Sequence, residues 1–166
     1  MAKIQFKGLD EYEKRLSRLS NAEQVRQIAG KATYAGAKII TDEIRANIQR
    51  LSAKSDKAGL IAYATKTPAP LTQTAKQGLL DGLGISTLQD DRGFLNVKVG
   101  FDGYNDMKTA QFPKGQPNVL IARITESGSS TSKKQPFVRP AIQRMRNETE
   151  QKMAAVVDEE IGKLMK

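Results

Sequence analysis

The residues that could do chemistry in this chain are carboxylates, hydroxyls and amines, because its 166 residues include no cysteine and no histidine. Thiol catalysis, disulfides, Ser-His-Asp catalysis and metal sites built on cysteine or histidine are therefore excluded. Glu126 stands alone in a basic stretch of sequence. It is either a catalytic acid, as in a carboxylate-based hydrolase, or a structural carboxylate paired with Arg123 or Arg139.

Three other groups of residues match catalytic or binding patterns only in part. Asp90–Asp91 suits Mg²⁺, but paired aspartates are also typical of turns. Ser129–Ser130 precedes Lys133–Lys134 but has no other base nearby in the sequence. The glycines of Gly78–Ile85 match neither the dinucleotide fingerprint nor the phosphate-loop spacing. The sequence therefore predicts a protein that is not an enzyme and that holds no cofactor or metal.

Positive charge is concentrated in one part of the chain. The net charge is +9 and the isoelectric point is about 9.8. Residues 107–147 carry eight basic side chains and one acidic side chain, whereas residues 148–160 are mainly acidic. Such a basic region is typical of contact with DNA or with an acidic protein, although folding can also scatter it over several faces. The basic residues that we expect to face a DNA channel or a partner are Lys108, Lys114, Arg123, Lys133, Lys134, Arg144 and Arg146.

Hydrophobic periodicity predicts the elements of the first third of the chain. Lys3–Phe6 alternates like a short strand, and a helix is expected to begin near Glu11. Asn21 suits the N-cap of a second helix over residues 22–50, in which apolar residues recur every three or four positions. Small residues at 29–37 predict that a neighbouring element, most simply a sheet, packs close to the backbone of this helix.

The middle of the chain has weaker patterns. Residues 51–78 show no clear period, which predicts a long loop, either an arm that orders against a neighbour or a flexible insertion. Leu83–Leu88 and Leu95–Val99 read as two strands of a hairpin joined by a five-residue turn. Val119–Thr125 is apolar enough for a strand or a short helix.

The last part of the chain predicts a loop followed by a long helix. Pro140 suits the first turn of a helix over residues 140–165. Phe137, between two prolines, is either a staple that holds this helix on the sheet or a rigid anchor for a partner. We expect Arg139 to pair with Glu126 and to fix the loop between them. A segment able to cross a membrane or to act as a signal peptide is not expected.

These elements predict a single α+β domain over residues 1–166, with a small antiparallel sheet packed against two long helices and long extended loops. Three blocks of the sequence also carry a resemblance. Ile4–Tyr12 and the run Val97–Arg123 form the first two blocks, and the third joins a Glu-Ser-Gly-Ser motif to a Pro-Phe-Val-Arg-Pro-Ala motif. The residues of the third block, which is the most specific, are Glu126, Gly128, Ser129, Pro136, Phe137, Arg139 and Pro140.

These blocks resemble the gene-product-ten-like "putative tail-component" family of Hong Kong 97-type phages and prophages, described as neck or tail-completion proteins. Ser129 stands where the family often has threonine, which preserves the hydroxyl. The resemblance implies a structural virion protein at the head–tail junction, acting in the neck or connector, in tail completion or in tail termination. It would be assembled in the bacterial cytoplasm and would join head and tail as a ring around the DNA channel.

The resemblance also implies the partners. They are other copies of the chain in a six- or twelve-fold ring, the neighbouring connector or stopper protein, and the tail terminator or tail tube proteins. Non-specific contact with packaged DNA is expected, and contact with a membrane is not. The alternative that composition favours is a small basic nucleic-acid-binding protein. Against it, the sequence has no helix-turn-helix signature and few aromatic residues.

Overall fold

The computed structural model describes residues 22–92, 94–109 and 111–164, which form five helices and six short strands. The helices are α1 Ala22–Arg50, α2 Asp56–Ala64, α3 Gln73–Gly82, α4 Asn118–Ser127 and α5 Val138–Leu164. The strands are β1 Ala53–Lys54, β2 Leu71–Thr72, β3 Leu83–Ile85, β4 Gln89–Asp91, β5 Phe94–Asn96 and β6 Val99–Phe101. The predicted strand at Lys3–Phe6, the helix from Glu11 and the cap at Asn21 lie outside the described residues.

The two long helices, α1 and α5, run antiparallel beside each other. Near the end of α1, the Asn47 side chain donates to the carbonyl oxygen of Phe137 at 3.0 Å. Near its start, Lys31 pairs with Glu160. Both helices were predicted from their apolar spacing, and α5 begins two residues before Pro140. None of the helices that the structure describes has the length and apolar character to cross a membrane.

Small residues let α1 pack closely on its neighbours. A Cβ atom at Gly36 would lie 2.7 Å from the Met153 sulfur and 3.0 Å from a methyl carbon of Thr149. A Cβ atom at Gly30 would lie 2.9 Å from a methyl carbon of Leu88, which follows β3. The close neighbour of α1 at Gly36 is therefore another helix and not the predicted sheet, whereas the strand region approaches at Gly30.

The strands form three small pairs, so the α+β class is confirmed. β3 pairs antiparallel with β6, β4 pairs antiparallel with β5, and β1 pairs parallel with β2. The predicted five-residue turn at 89–93 is wrong, because Gln89–Asp91 forms β4 and Asp91 lies opposite Phe94. Arg92 follows β4 with a positive φ of 55°, which is typical of the tight turns that join two strands of a hairpin. The connection between β4 and β5 is therefore shorter than the predicted five residues.

The prediction of a long loop over residues 51–78 is also wrong, because α2 and the first part of α3 lie there. The hydroxyl of Ser55 caps α2, and the Asp56 carboxylate accepts from the backbone N–H of Thr74 at 3.1 Å and from its hydroxyl. The Thr74 hydroxyl, then its N–H, lower the pKa of Asp56 against the opposing effect of burial. The sequence shows no helical period here because α2 buries only Ala62 and so has no apolar stripe.

The main core lies where the second half of α1 meets α3, α4 and the start of α5. Ile48 and Leu79 are fully buried there, and Phe137 is 1% exposed. The rings of Phe137 and Phe101 meet edge to face with centroids 5.8 Å apart. Phe137 therefore joins α5 to β6 inside the core, which is the staple of the two predicted alternatives, and its burial leaves no side chain for the alternative role as an anchor for a partner.

Candidate functional site: the α4–α5 connection and the adjoining cavity

The α4–α5 connection, residues 126–140, is organised by one carboxylate. Glu126 accepts from the backbone N–H groups of Phe137 at 2.8 Å, Val138 at 2.9 Å and Arg139 at 3.1 Å. These are the donors at a helix start that have no partner within the helix, and Pro140 has no N–H to satisfy. A negative charge at this end of α5 is also favoured by the helix dipole.

The predicted ion pair between Glu126 and Arg139 is therefore not the contact that fixes this loop. Arg139 is exposed, and the carboxylate is bound by backbone donors instead. Burial by itself raises the pKa of Glu126, but the three N–H donors and, last, the charge of Arg139 bring it below its ordinary value. Glu126 is therefore held as a carboxylate, which suits a cap better than a catalytic acid.

The turn after α4 requires Gly128. Gly128 has a φ of 79°, and its N–H donates to the carbonyl oxygen of Ile124 at 2.7 Å. Ser129 then forms a local turn: its N–H donates to the carbonyl oxygen of Ser132 at 2.9 Å, and its hydroxyl accepts from the Thr131 N–H at 3.3 Å. The hydroxyl of Ser129 thus serves the turn and forms no hydrogen bond with Lys133 or Lys134.

The connection is tied to the segment that precedes β2 and to the end of α1. Lys133 donates its N–H to the carbonyl oxygen of Ala69 at 2.8 Å, and Ala69 donates its own to Thr131 at 3.2 Å. The Gln135 side chain accepts from the N–H of Ser52 at 2.9 Å and donates to its carbonyl oxygen at 3.1 Å. These bonds hold the connection against the segment that precedes β2 and against the end of α1, while Pro136 stays exposed.

A cavity of about 150 Å³ opens beside the connection. It lies between α2, β2, α4 and the loops 107–116 and 131–133, and Met107 and Ile121 are among the buried apolar residues that line it. Leu60 and Tyr63 stand at the cavity with 47% and 61% of their surface exposed. The lining is mixed, because threonines, Gln116 and Lys133 stand beside the apolar residues, and a cavity of this volume has room for a group about the size of a benzene ring.

The structure divides the predicted basic residues into two groups. Arg144 pairs with Glu43 at 2.6 Å, and Arg146 pairs with Glu150 at 3.1 Å, so these two are satisfied within the chain. The other five are exposed and form no ion pair with any residue that the structure describes. They are Lys108, Lys114, Arg123, Lys133 and Lys134.

Two of these five residues belong to the cavity region. Lys133 lines the cavity, and Lys108 stands between two residues that line it, Met107 and Thr109. The apolar opening is therefore accompanied by cations that have no acidic partner in the described part of the chain. Such an arrangement can accept an acidic surface that also presents an apolar side chain.

Asp90 and Asp91 do not form a metal site with their described neighbours. Both lie on the exposed strand β4, and Asp90 accepts from Arg26 at 3.4 Å. Over residues 22–92, 94–109 and 111–164, no group of three acidic side chains is placed to hold a metal ion. The magnesium site that the sequence left open is therefore not assembled within these ranges.

The cavity is what sequence reasoning missed. Its walls come from segments up to about seventy residues apart, and the sequence pattern of residues 51–78 predicts a loop. The signal that could have found it is the run Leu60-Ile61-Ala62-Tyr63, whose large apolar residues are exposed on α2.

In comparisons with known proteins, no family model, no curated protein and no solved structure matches this chain.

Proposed function

We propose that this chain is a structural protein of a tailed-phage virion, placed at the head–tail junction, where it joins head and tail as a ring around the DNA channel. The proposal rests on the sequence resemblance of the Glu126 and Pro136–Pro140 motifs. One structural observation carries it further: the two motifs form a single unit, in which Glu126 caps the helix that begins after Phe137.

The proposed role is non-enzymatic. The residues that could act in catalysis make structural contacts instead. Glu126 accepts hydrogen bonds from backbone amides, Asp90 pairs with Arg26, and Ser129 forms a turn. A ring subunit instead needs a rigid body that offers two surfaces to its neighbours. The paired helices α1 and α5 supply the rigid body, and the exposed basic side chains beside the cavity supply a candidate surface.

Negative-stain microscopy of an induced lysate that lacks this gene tests the proposal. Filled heads together with separate tails, or tails with a defective end, are the expected result. Supplying the intact gene from a plasmid should restore joined particles, which controls for effects on neighbouring genes. Normal infectious particles in the deletion lysate would overturn the structural role.

The second candidate, a small basic nucleic-acid-binding protein, is favoured by the five exposed cations that have no acidic partner among the residues that the structure describes. Filter binding to duplex DNA separates the two candidates. Binding driven only by phosphate contacts should weaken steeply as salt rises to about 150 mM. Tight binding that survives this salt concentration would move the nucleic-acid-binding role to the front.

A further inference from the structure

The charges of the described chain are separated between its two ends. The segments that line the cavity, 51–76 and 104–137, hold nine basic residues and three acidic residues. Two of those acids, Asp56 and Glu126, are bound by Thr74 and by the start of α5. Residues 148–164, the second half of α5, hold five acidic residues and two basic residues. We call the first part the basic lobe and the second the acidic end.

The basic lobe and the acidic end cannot neutralise each other within one molecule. The lobe is bonded to the start of α5 through Glu126, and the acidic end is the last part of the same helix. A helix of 27 residues is about 40 Å long, which is several times the distance over which salt screens a charge. Within the acidic end, Glu150 pairs with Arg146, Glu159 with Lys163, and Glu160 with Lys31 and Lys163. Glu148 and Asp158 are exposed and form no ion pair with any residue that the structure describes. The negative charge that the acidic end offers to other molecules is therefore small and is carried mainly by these two residues.

The basic lobe also carries apolar surface. Leu60, Ile61 and Tyr63 are three of the large apolar residues that α2 exposes, at 47%, 55% and 61%. Leu60 and Tyr63 adjoin the cavity, which has room for one apolar side chain. A phosphate backbone would bind the lysines but would leave this surface in water, whereas a protein surface can cover both.

We propose that the basic lobe binds the acidic end of a second copy of this chain, head to tail. The interface is heterologous, so each copy offers its lobe to one neighbour and its acidic end to the other. It rests on the proposed function in one respect, because a ring requires such a contact to close. The contact itself stands on the charge separation and on the apolar surface of α2.

Paired charge reversals test the contact in the full-length protein. The lobe variant carries Lys133→Glu and Lys134→Glu, and the acidic-end variant carries Asp158→Lys and Glu159→Lys; all four side chains are exposed. Sedimentation of the wild-type protein at low salt should show self-association that weakens as salt increases. Each variant alone should associate more weakly, with an apparent Kd at least about tenfold higher than that of the wild type.

Mixing the two variants in equal amounts gives the sharpest result. The reversed lobe of one then matches the reversed end of the other, and their two unchanged surfaces also match, so association should return.

A variant with Lys38→Glu and Lys98→Glu, two exposed lysines outside both ends, has the same charge change as the lobe variant and should associate like the wild type. Leu60→Asp should weaken association without changing the charge of the acidic end.

Three results would overturn the contact: a wild-type protein that stays monomeric at low salt, variants that associate normally, or a mixture that fails to recover. If the deletion lysate still contains unjoined heads and tails, the role at the junction stands and only this self-contact is wrong. If the self-contact is found but the deletion lysate holds normal particles, the proposed function fails and the interface remains.

Discussion

At the scale of single residues, Glu126 explains why the motif around it has its particular members. One carboxylate satisfies the N–H groups of Phe137, Val138 and Arg139, and a proline follows where another donor would stand. Phe137 then fills the core beneath this cap. The role of the carboxylate was predicted only in part, because sequence spacing does not distinguish a backbone acceptor from an ion-pair partner.

Glu126→Gln should lower the free energy of unfolding by about 1–2 kcal/mol at neutral pH, because an amide accepts these N–H bonds less strongly and has no charge at the helix start. Urea denaturation at pH 7 measures this loss. Glu148→Gln, at an exposed site of the same helix, is the matched control and should leave the midpoint unchanged. Equal midpoints for all three proteins would contradict the capping role.

The difference in stability between the wild type and Glu126→Gln should depend on pH. The pKa of Glu126 in the folded protein lies below its ordinary value of 4.5, so unfolding takes up a proton in acid. The stabilisation is therefore complete above about pH 4.5 and is lost as the pH falls through the folded-state pKa. Denaturation midpoints of wild type and Glu126→Gln should converge as the pH is lowered from 5, and a constant difference would contradict this account.

Gly128→Ala should cost about 1–2 kcal/mol, because a residue with a side chain is strained at a φ of 79°. The added Cβ atom would also lie 3.0 Å from the Cβ atom of Lys134. Gly100→Ala in β6 is the comparison, since no atom of a neighbouring described residue packs within 4 Å of its would-be Cβ. Thermal unfolding should separate the two variants, with Gly128→Ala melting lower; similar Tm values would remove the argument for a required glycine.

At the scale of elements, the sequence predicts secondary structure best for a long element that buries one face. The stripe of α1 continues over eight turns, so its end at Arg50 follows from the pattern. The short helix α2 buries a single residue, and β4 contains two aspartates, so their patterns resemble those of loops. Their structure depends on distant partners such as Thr74, which bonds Asp56, and no local rule contains such a contact.

The contact between α1 and α5 gives a prediction at this scale. Gly36→Leu should destabilise the protein by about 2 kcal/mol, because its side chain would enter space held by Met153 and Thr149. Gly162 lies on α5, and no atom of the described residues packs within 4 Å of its would-be Cβ, so Gly162→Leu should leave stability equal or slightly higher. Guanidinium denaturation compares the two variants. Equal effects would mean that the helices can separate at Gly36 without cost.

At the scale of the whole molecule, the main core occupies one end of the paired helices. Ile44 and Ile48 of α1 join Leu79, Ile121 and Phe137 in it. Towards the other end, α1 has Ile28 and Ala32 buried, but neither belongs to that cluster. The described chain therefore combines a packed end, which also holds the basic lobe, with a longer two-helix end that carries the acidic residues.

This asymmetry predicts a gradient of hydrogen exchange along α1. Amides of residues 44–50 should exchange at least about tenfold more slowly than those of residues 23–28, because the packed end opens only with the whole fold, whereas helix ends fray. Exchange measured at high salt excludes protection by self-association through charged ends. Phe137→Ala should cost about 3–5 kcal/mol and reduce protection at residues 44–50 most, since it removes a ring from the core that covers them. Uniform protection along α1 would show instead that the helix pair opens as one unit, and that the core does not set the stability of its own end.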